Sequence, residues 1–253
     1  MLLAIDIGNT NSVFGIHDSG KWLNYWRIQT DPLKTADEYE VIFRSLITSG
    51  EIRKGDIQEI VLCSVVPSLV DPFTEMLANM IGKAPLIVGP DIYPKLPLKI
   101  LNPYQIGADL VANAVAAYSK YGGITMVIDF GTALTFTTIG SDGEILGVAI
   151  APGLKTAISS LAGNTAQLPF VHLSAPPSVL GKNTVHAIQS GVVLGYCGLV
   201  DSIIHRTRDE LKTAIMVVAT GGLSSQIAPL SENIDTIEKL LTLDGLKLIS
   251  ELA

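Results

Sequence analysis

The chain has 253 residues, 48% apolar and 16% charged, with a net charge of −7. That composition excludes a disordered chain. The 17 Lys and Arg are scattered rather than striped, so no nucleic-acid partner is expected. An acidic balance still allows an anionic ligand, because backbone N–H groups can hold phosphate without side-chain cations. Cys63 and Cys197 lie far apart in apolar runs and read as buried thiols of a reducing compartment. No signal pattern opens the chain, and no uncharged apolar run reaches the roughly 18 residues of a membrane span. A cytoplasmic protein with no membrane partner is the expectation.

In chain order, Met1 to Ile16 reads as a hairpin, Gly20-Lys21 as a turn and Trp22 to Thr30 as a third strand. Thr35-Ala36-Asp37-Glu38 is a capping signal for a helix from Tyr39 to Ser49. Ile57 to Ser64 is an uninterrupted apolar strand of the kind covered on both faces. A helix is predicted over Leu69 to Ile81 and a strand over Pro85 to Val88. Pro90, Pro94, Pro97 and Pro103 mark a loop or edge segment, and Gly107-Ala108-Asp109 opens an alanine-rich helix, Leu110 to Lys120.

The second half repeats the theme. Ile124 to Ile139 is a hairpin, Gly143 to Ala149 a third strand, and Ala151-Pro152-Gly153 a turn into a helix through Leu161. Leu168 to Pro177 is loop, Val185 to about Leu211 one long helix, Ile215 to Ala219 a buried strand, and Ser224 to about Leu230 a short helix. The order strand-strand-strand-helix-strand-helix recurs. Asp6-Ile7-Gly8-Asn9-Thr10 and Asp129-Phe130-Gly131-Thr132-Ala133 stand about half the chain apart at two hairpin tips. They suggest a duplicated domain with a cleft between the halves.

At each tip a carboxylate, a glycine and hydroxyl or amide donors meet. Gly8 is expected to allow positive φ and close approach of a ligand to the backbone. Asn9, Thr10 and Asn11 would supply weak donors to phosphate oxygens. Asp6 would be repelled by phosphate directly, so it would act through Mg²⁺ or its waters. One such tip alone is as readily an ordinary polar turn; the second copy favours function. Thr220-Gly221-Gly222, after a buried strand and before a helix, would let a flat ligand pack on the backbone, although turns use such pairs routinely. Asp109 reads as a helix N-cap, or as an ionised base facing a cleft with the helix N-terminus favouring its anionic form. No phosphate-binding Gly-x-x-x-x-Gly-Lys-[Ser/Thr], Gly-x-Gly-x-x-Gly, Cys-x-x-Cys, His-Glu-x-x-His or Gly-x-Ser-x-Gly is present. The 4 histidines show no metal-ligand spacing.

The paired turns with a late glycine pair resemble the superfamily of actin, sugar kinases and heat-shock chaperones. The closer resemblance is to type III pantothenate kinase. It rests on Asp6-Ile7-Gly8-Asn9-Thr10, Thr35-Ala36-Asp37-Glu38-Tyr39, Ser64-Val65-Val66-Pro67, Asn102-Pro103 followed by Gly107-Ala108-Asp109, and Asp129-Phe130-Gly131-Thr132-Ala133. Ala151-Pro152-Gly153, Gly181-Lys182-Asn183-Thr184, Gln189-Ser190-Gly191 and Thr220-Gly221-Gly222 complete it in order along nearly the whole chain.

The resemblance implies an α/β fold of two duplicated ribonuclease H-like (actin-like ATPase) domains, 1–118 and 119–253. Each would be a mixed sheet flanked by helices, with the active site in the cleft between them. It implies ATP-dependent phosphorylation of pantothenate to 4′-phosphopantothenate, the first step of coenzyme A biosynthesis. Asp6, Ile7, Gly8, Asn9, Thr10, Asn11, Ser12 and Val13 would hold ATP phosphates, with Asp6 organising Mg²⁺. Thr132, Gly221 and Gly222 would also contact ATP. Asp109 would take the proton of the pantothenate hydroxyl, and Asp129 would bind a monovalent cation, K⁺ or NH₄⁺. Pantothenate would meet Gly107, Ala108, Asp109, Leu110, Thr184 and the position of Ile100. A homodimer would complete the acceptor site. Two positions depart from the pattern: Leu110 stands where Arg is usual, and Ile100 where Tyr is usual. An Arg-to-Leu change removes a charged fork of donors. It leaves open a different small hydroxyl acceptor, or a non-catalytic nucleotide-binding regulatory relative.

Overall fold

In the computed structural model, which describes residues 1–253, the first sheet grows from the N-terminal hairpin. Strands β1 (Leu2–Ile7), β2 (Asn11–Asp18) and β3 (Lys21–Gln29) form an antiparallel meander. Helix α1 (Ala36–Ser49) follows, then β4 (Glu59–Ser64), α2 (Val70–Ile81), the two-residue β5 (Leu86–Ile87) and α3 (Ala108–Tyr121). β4 returns parallel to β1, giving the order β3-β2-β1-β4-β5. The capping box before α1 is formed: Thr35 N–H donates to Glu38 Oε2 at 2.9 Å, and Glu38 N–H to Thr35 Oγ1 at 3.4 Å.

Successive residues of β1 point to opposite faces. Leu3, Ile5 and Ile7 join Phe14, Tyr39, Phe43 and Phe73 in the core under α1 and α2. The aromatic rings stack there, with Phe14–Phe43 centroids 5.2 Å and Tyr39–Phe73 centroids 4.4 Å apart. Ala4 and Asp6 therefore face the other side of the sheet.

The second sheet has β6 (Thr125–Phe130), β7 (Ala133–Ile139), β8 (Ile145–Pro152), β9 (Met216–Thr220) and β10 (Thr236–Ile237), in the order β10-β9-β6-β7-β8. β6 pairs antiparallel with β7 and parallel with β9. Helix α4 (Leu154–Asn164) and a long helical segment cover one face; Ile128, Phe130, Ile158, Val193, Val200 and Ile204 form the core between them. The sequence predicts that segment as one helix. It is continuous over Thr184–Leu211 but in three parts: α5 (Thr184–Gln189), a π-helical turn (Ser190–Leu194) and α6 (Gly195–Leu211). By length and composition it is apolar enough to cross a membrane; Val193, Val200 and Ile204 are nonetheless wholly buried in this unit's core. Helix α7 (Ser224–Ile227) follows β9.

Two compact units result: Met1–Ala116 with Leu241–Ala253, and Ala117–Leu240. The C-terminal helix α8 (Leu241–Leu252) thus belongs to the first unit, whereas the sequence reading placed all of 119–253 in the second domain. The reason is packing. α8 lies on β1 and β4, Trp22 Nε1 donates to Asp244 at 2.7 Å, and Thr242 Oγ1 donates to Asn113 at 2.8 Å. A Cβ at Gly245 would overlap the Ala112 backbone carbonyl, so the helices α3 and α8 meet backbone to backbone.

This contact makes two glycine substitutions opposite in sign. Alanine is worth about 1 kcal/mol over glycine in a helix interior. At Gly198, where an added Cβ meets nothing within 4 Å, Gly198→Ala is expected to raise stability by about 0.5–1 kcal/mol. At Gly245 the clash is with backbone, and Gly245→Ala is expected to lose about 1–3 kcal/mol. Urea denaturation of both variants reads the two signs.

Candidate active site

At the first hairpin tip, Gly8 N–H donates to Asn11 O at 3.0 Å and closes a short loop of Gly8, Asn9 and Thr10. Gly8 is not in the positive-φ region, contrary to the sequence expectation. Its glycine is explained by closeness instead: a Cβ there would lie 3.0 Å from Asn11 O. Asn9, Thr10 and Asn11 are exposed at the tip. Ser12 is wholly buried, and its hydroxyl shares a 2.9 Å hydrogen bond with Thr30 Oγ1. Thr30 in turn donates to Gly8 O at 2.7 Å and through its N–H to Thr10 O at 3.0 Å. Ser12 and Thr30 are therefore an internal latch for the turn, and the Ser12 side chain does not face a ligand. Thr30 was not identified from sequence, where it reads only as a strand end before Asp31-Pro32. Ile7 is wholly buried in the core, so it presents backbone rather than side chain to the tip, whereas the half-buried Val13 pairs with Asp6 across the hairpin and shares its face of the sheet.

Asp6 stands on β1 in register with Cys63 on β4. Cys63 is wholly buried, and its Sγ–H donates to Asp6 Oδ1 at 3.3 Å. Asp109, on the same unit, acts electrostatically on Cys63 and on the buried Tyr93. Burial first, then the charges of Asp6 and Asp109, push the Cys63 thiol well above the ordinary range, so it keeps its proton. Burial also moves the Tyr93 phenol up to about 12, with smaller contributions from Cys63 and Asp109. The structure thus gathers Asp6, Cys63, Tyr93 and Asp109, of which the sequence identified the two aspartates.

Asp109 is not an N-cap. Gly107 O accepts the first helical bond from Val111 N–H at 3.1 Å, which makes Asp109 the second residue of α3. Its Oδ1 accepts the Leu110 N–H at 2.8 Å. Burial raises its pKa and outweighs the opposing backbone N–H donors. The helix N-terminus does not hold this carboxylate in an unusually acidic form, and Asp109 is a stronger base than the sequence reading supposed. A Cβ at Gly107 would overlap Asp109 Oδ1, so glycine there leaves room for the carboxylate. Ala108 and Leu110 are buried, while Ile100 is half-buried just before the Asn102 turn. With Leu110 in the core, no cation lies next to Asp109 in the chain.

In the second unit, Gly131 N–H donates to Ala133 O at 3.1 Å to form the tip. Thr132 is exposed, and its carbonyl accepts Gly153 N–H at 3.0 Å and Thr156 Oγ1 at 2.9 Å. Asp129 pairs in register with Thr220 at the end of β9. There Gly221 adopts φ +88°, and a Cβ would overlap the Asp129 carboxylate. Both facts require glycine. Gly222 lines a cavity of about 270 Å³ together with Leu223, Gln226, Lys155, Phe170 and His172. Thr184 is the exposed first residue of α5, capped by Asn183 Oδ1, which accepts the His186 N–H at 2.9 Å. It lies in the second unit, whereas Gly107 to Leu110 lie in the first.

No group of three or more His, Cys, Asp and Glu side chains could hold a metal ion. A divalent cation therefore has no all-protein cage. Mg²⁺ at phosphoryl-transfer sites keeps several waters and takes one or two carboxylates plus substrate phosphates. Asp6, at the strand end beside the open tip, fits that limited role.

The family model of type III pantothenate kinase matches residues 2–206. The chain belongs to that family. It is 45% identical over 251 residues to the type III pantothenate kinase of Moorella thermoacetica, covering 99% of each chain. It is 43% identical over 251 residues to that of Anaeromyxobacter sp. strain K, again covering 99% of each. Among solved structures, it is similar to the 2-hydroxyisocaproyl-CoA dehydratase activator of Clostridium difficile with bound ADPNP. That match has a TM-score of 0.52 and 12% identity, over 99% of this chain and 95% of that one. It is also similar to the inorganic polyphosphate/ATP-glucomannokinase of Arthrobacter sp. strain KM, with a TM-score of 0.51 and 16% identity over 99% and 98%. These two likenesses show the fold, that of actin-like ATPases and sugar kinases, in two α/β units as expected. The family uses ATP, and a divalent metal accompanies that chemistry.

The raised pKa of Asp109 has a stability consequence. Its folded-state value lies above the unfolded one, so the native state is favoured at acid pH and loses that advantage as pH rises through the shifted value. Asp109→Asn removes the buried charge and keeps an acceptor for Leu110 N–H. The variant is expected to melt at a higher temperature than the wild type at neutral pH. The gap should close as pH falls toward 3.8, the ordinary aspartate value. Thermal melts across that range check it.

Proposed function

We propose that this protein transfers the γ-phosphoryl group of ATP to the primary hydroxyl of pantothenate, giving 4′-phosphopantothenate and ADP. The observation that carries the reading is full-length membership of the family together with the partly buried Asp109 carboxylate in the unit that carries the Asp6 tip. The hydroxyl oxygen bonds to the γ-phosphorus, the bond from that phosphorus to the β–γ bridging oxygen breaks, and the hydroxyl proton passes to Asp109. Such a transition state is loose, so placing the hydroxyl matters more than extreme basicity. The tip amides and side chains from Gly8 to Asn11 hold phosphate oxygens, and Asp6 would hold Mg²⁺ through its waters, where the ion would neutralise charge on the phosphates. Thr132 and the Gly221–Gly222 backbone contact the nucleotide. Asp129 takes K⁺ or NH₄⁺, and Thr184 and the Gly107 to Leu110 segment contact pantothenate.

The protein acts in the cytoplasm as a homodimer on this reading. Support for self-association comes from the edge strand β8, whose Leu146, Val148 and Ile150 are exposed apolar side chains.

Incubation with ATP, Mg²⁺, K⁺ and pantothenate, followed by mass detection, is expected to give phosphopantothenate. Asp109→Asn should cut turnover by roughly 10²- to 10⁴-fold while leaving the ATP-induced rise in melting temperature intact. Equal turnover in the variant would remove Asp109 as base. A wild type that binds ATP without making product would point to another acceptor or a regulatory relative, which Leu110 in place of the usual Arg keeps in view.

A further inference from the structure

The proposed reaction gives no task to Cys63, yet its Sγ–H donates to Asp6 Oδ1 at 3.3 Å. Its position follows from the sheet. β1 and β4 run parallel with Asp6 opposite Cys63, so the two side chains emerge on the same face, away from the aromatic core. The thiol is wholly buried, which removes solvent as a competing partner. Asp109 is also within electrostatic reach of it.

We infer that Cys63 is a positioning residue: its S–H fixes the plane of the Asp6 carboxylate, so that the group meets Mg²⁺-bound water in one orientation. This rests on the reading of Asp6 given above. A carboxylate at the end of a strand rotates about its last torsion, whose energy well is broad. One fixed donor narrows that rotation. Outer hydrogen-bond partners of metal-site carboxylates act in this way, and losing one typically costs 10–100-fold in metal affinity or activity. A neutral donor suits the task here. Lysine or histidine would bring a charge that competes with the metal, whereas a thiol supplies a proton and no charge.

Three variants separate orientation from packing. Cys63→Ser keeps an O–H donor, Cys63→Ala removes donor and volume, and Cys63→Val removes the donor but fills the space. The first readout is the Mg²⁺ concentration giving half of the ATP-induced rise in melting temperature, which needs no turnover. Cys63→Ala and Cys63→Val are expected to raise it by about 10-fold, and Cys63→Ser to stay within about 3-fold of wild type. The second readout is kinetic: the donor-less variants should raise KM for MgATP and leave KM for pantothenate unchanged. Wild-type Mg²⁺ dependence in a folded Cys63→Ala or Cys63→Val protein overturns the proposal. So does a Cys63→Ser protein as impaired as Cys63→Ala, since the loss would then follow shape rather than the donor. If the wild type makes no phosphopantothenate, the assigned reaction fails by itself, and the Mg²⁺ titration still decides the role of Cys63.

Discussion

The geometry of both units depends on one pairing, in which the first strand of a hairpin lies parallel to a strand that returns after a helix. β1 pairs in register with β4, and β6 with β9. Each pairing places an aspartate opposite a residue near the end of the crossover strand: Asp6 opposite Cys63, Asp129 opposite Thr220. Parallel strands end on the same side, and in open α/β sheets ligands bind beyond their carboxyl ends. The hairpin tip and the segment after the crossover strand are therefore brought together by the sheet itself. A shift of register by one residue would turn both aspartates to the opposite face. The large apolar side chains on the neighbouring positions, Ile5 and Ile7 or Ile128 and Phe130, oppose that shift because they would have to leave the core.

The two sheets have one topology. Read from the hairpin edge, the first runs β3-β2-β1-β4-β5, and the second, taken in the same sense, runs β8-β7-β6-β9-β10. This supports duplication more strongly than the short Asp-x-Gly matches do. The fastening of the tips has nevertheless diverged. In the first unit Thr30, at the end of β3, reaches back to Gly8 and Thr10. In the second, Gly153 and Thr156 at the start of α4 hold the Thr132 carbonyl. A Cβ at Gly153 would overlap the Gly131 and Thr132 carbonyls, which gives the Ala-Pro-Gly sequence a physical reason. The third strand enters straight into the helix that clamps the tip.

What was legible in the sequence is what local patterning encodes. The hairpins, the capping box at Thr35, the crossover strands and the two aspartate tips all carry short-range signals, and all are present. What was not legible depends on contacts distant in sequence. Helix α8 has an amphipathic pattern, but nothing local says that it returns to β1 and β4 in the first unit; Gly245, small enough for Ala112 to approach, shows the reason only in three dimensions. Cys63 reads from sequence only as a buried thiol because its partner lies 57 positions away. Gly8 does not use the positive φ that a turn glycine allows, because a three-residue loop closed by Gly8 N–H and Asn11 O needs space rather than an unusual torsion. The left-handed glycine is Gly221 instead, held against Asp129.

The surroundings of Asp109 bear on the departure at position 110. An arginine beside a carboxylate favours its charged form. Here the neighbour is a buried leucine, and the largest influence on Asp109 is desolvation, which favours the protonated form. On the proposed reading, leucine at 110 removes a donor for an anionic acceptor and also leaves Asp109 a stronger base than an arginine neighbour would. Strength gained in this way is useful only if the carboxylate is ionised when the hydroxyl arrives, and the Leu110 N–H and the helix start keep part of that charged form. On the proposed reading, recognition of an acceptor carboxylate then takes no cation from position 110. Backbone N–H groups and hydroxyls can do so without a cation, at the cost of more numerous and more closely fixed contacts. The rigid backbone contact between α3 and α8, with no space between Ala112 and Gly245, supplies that kind of fixation to the helix on which Asp109 stands.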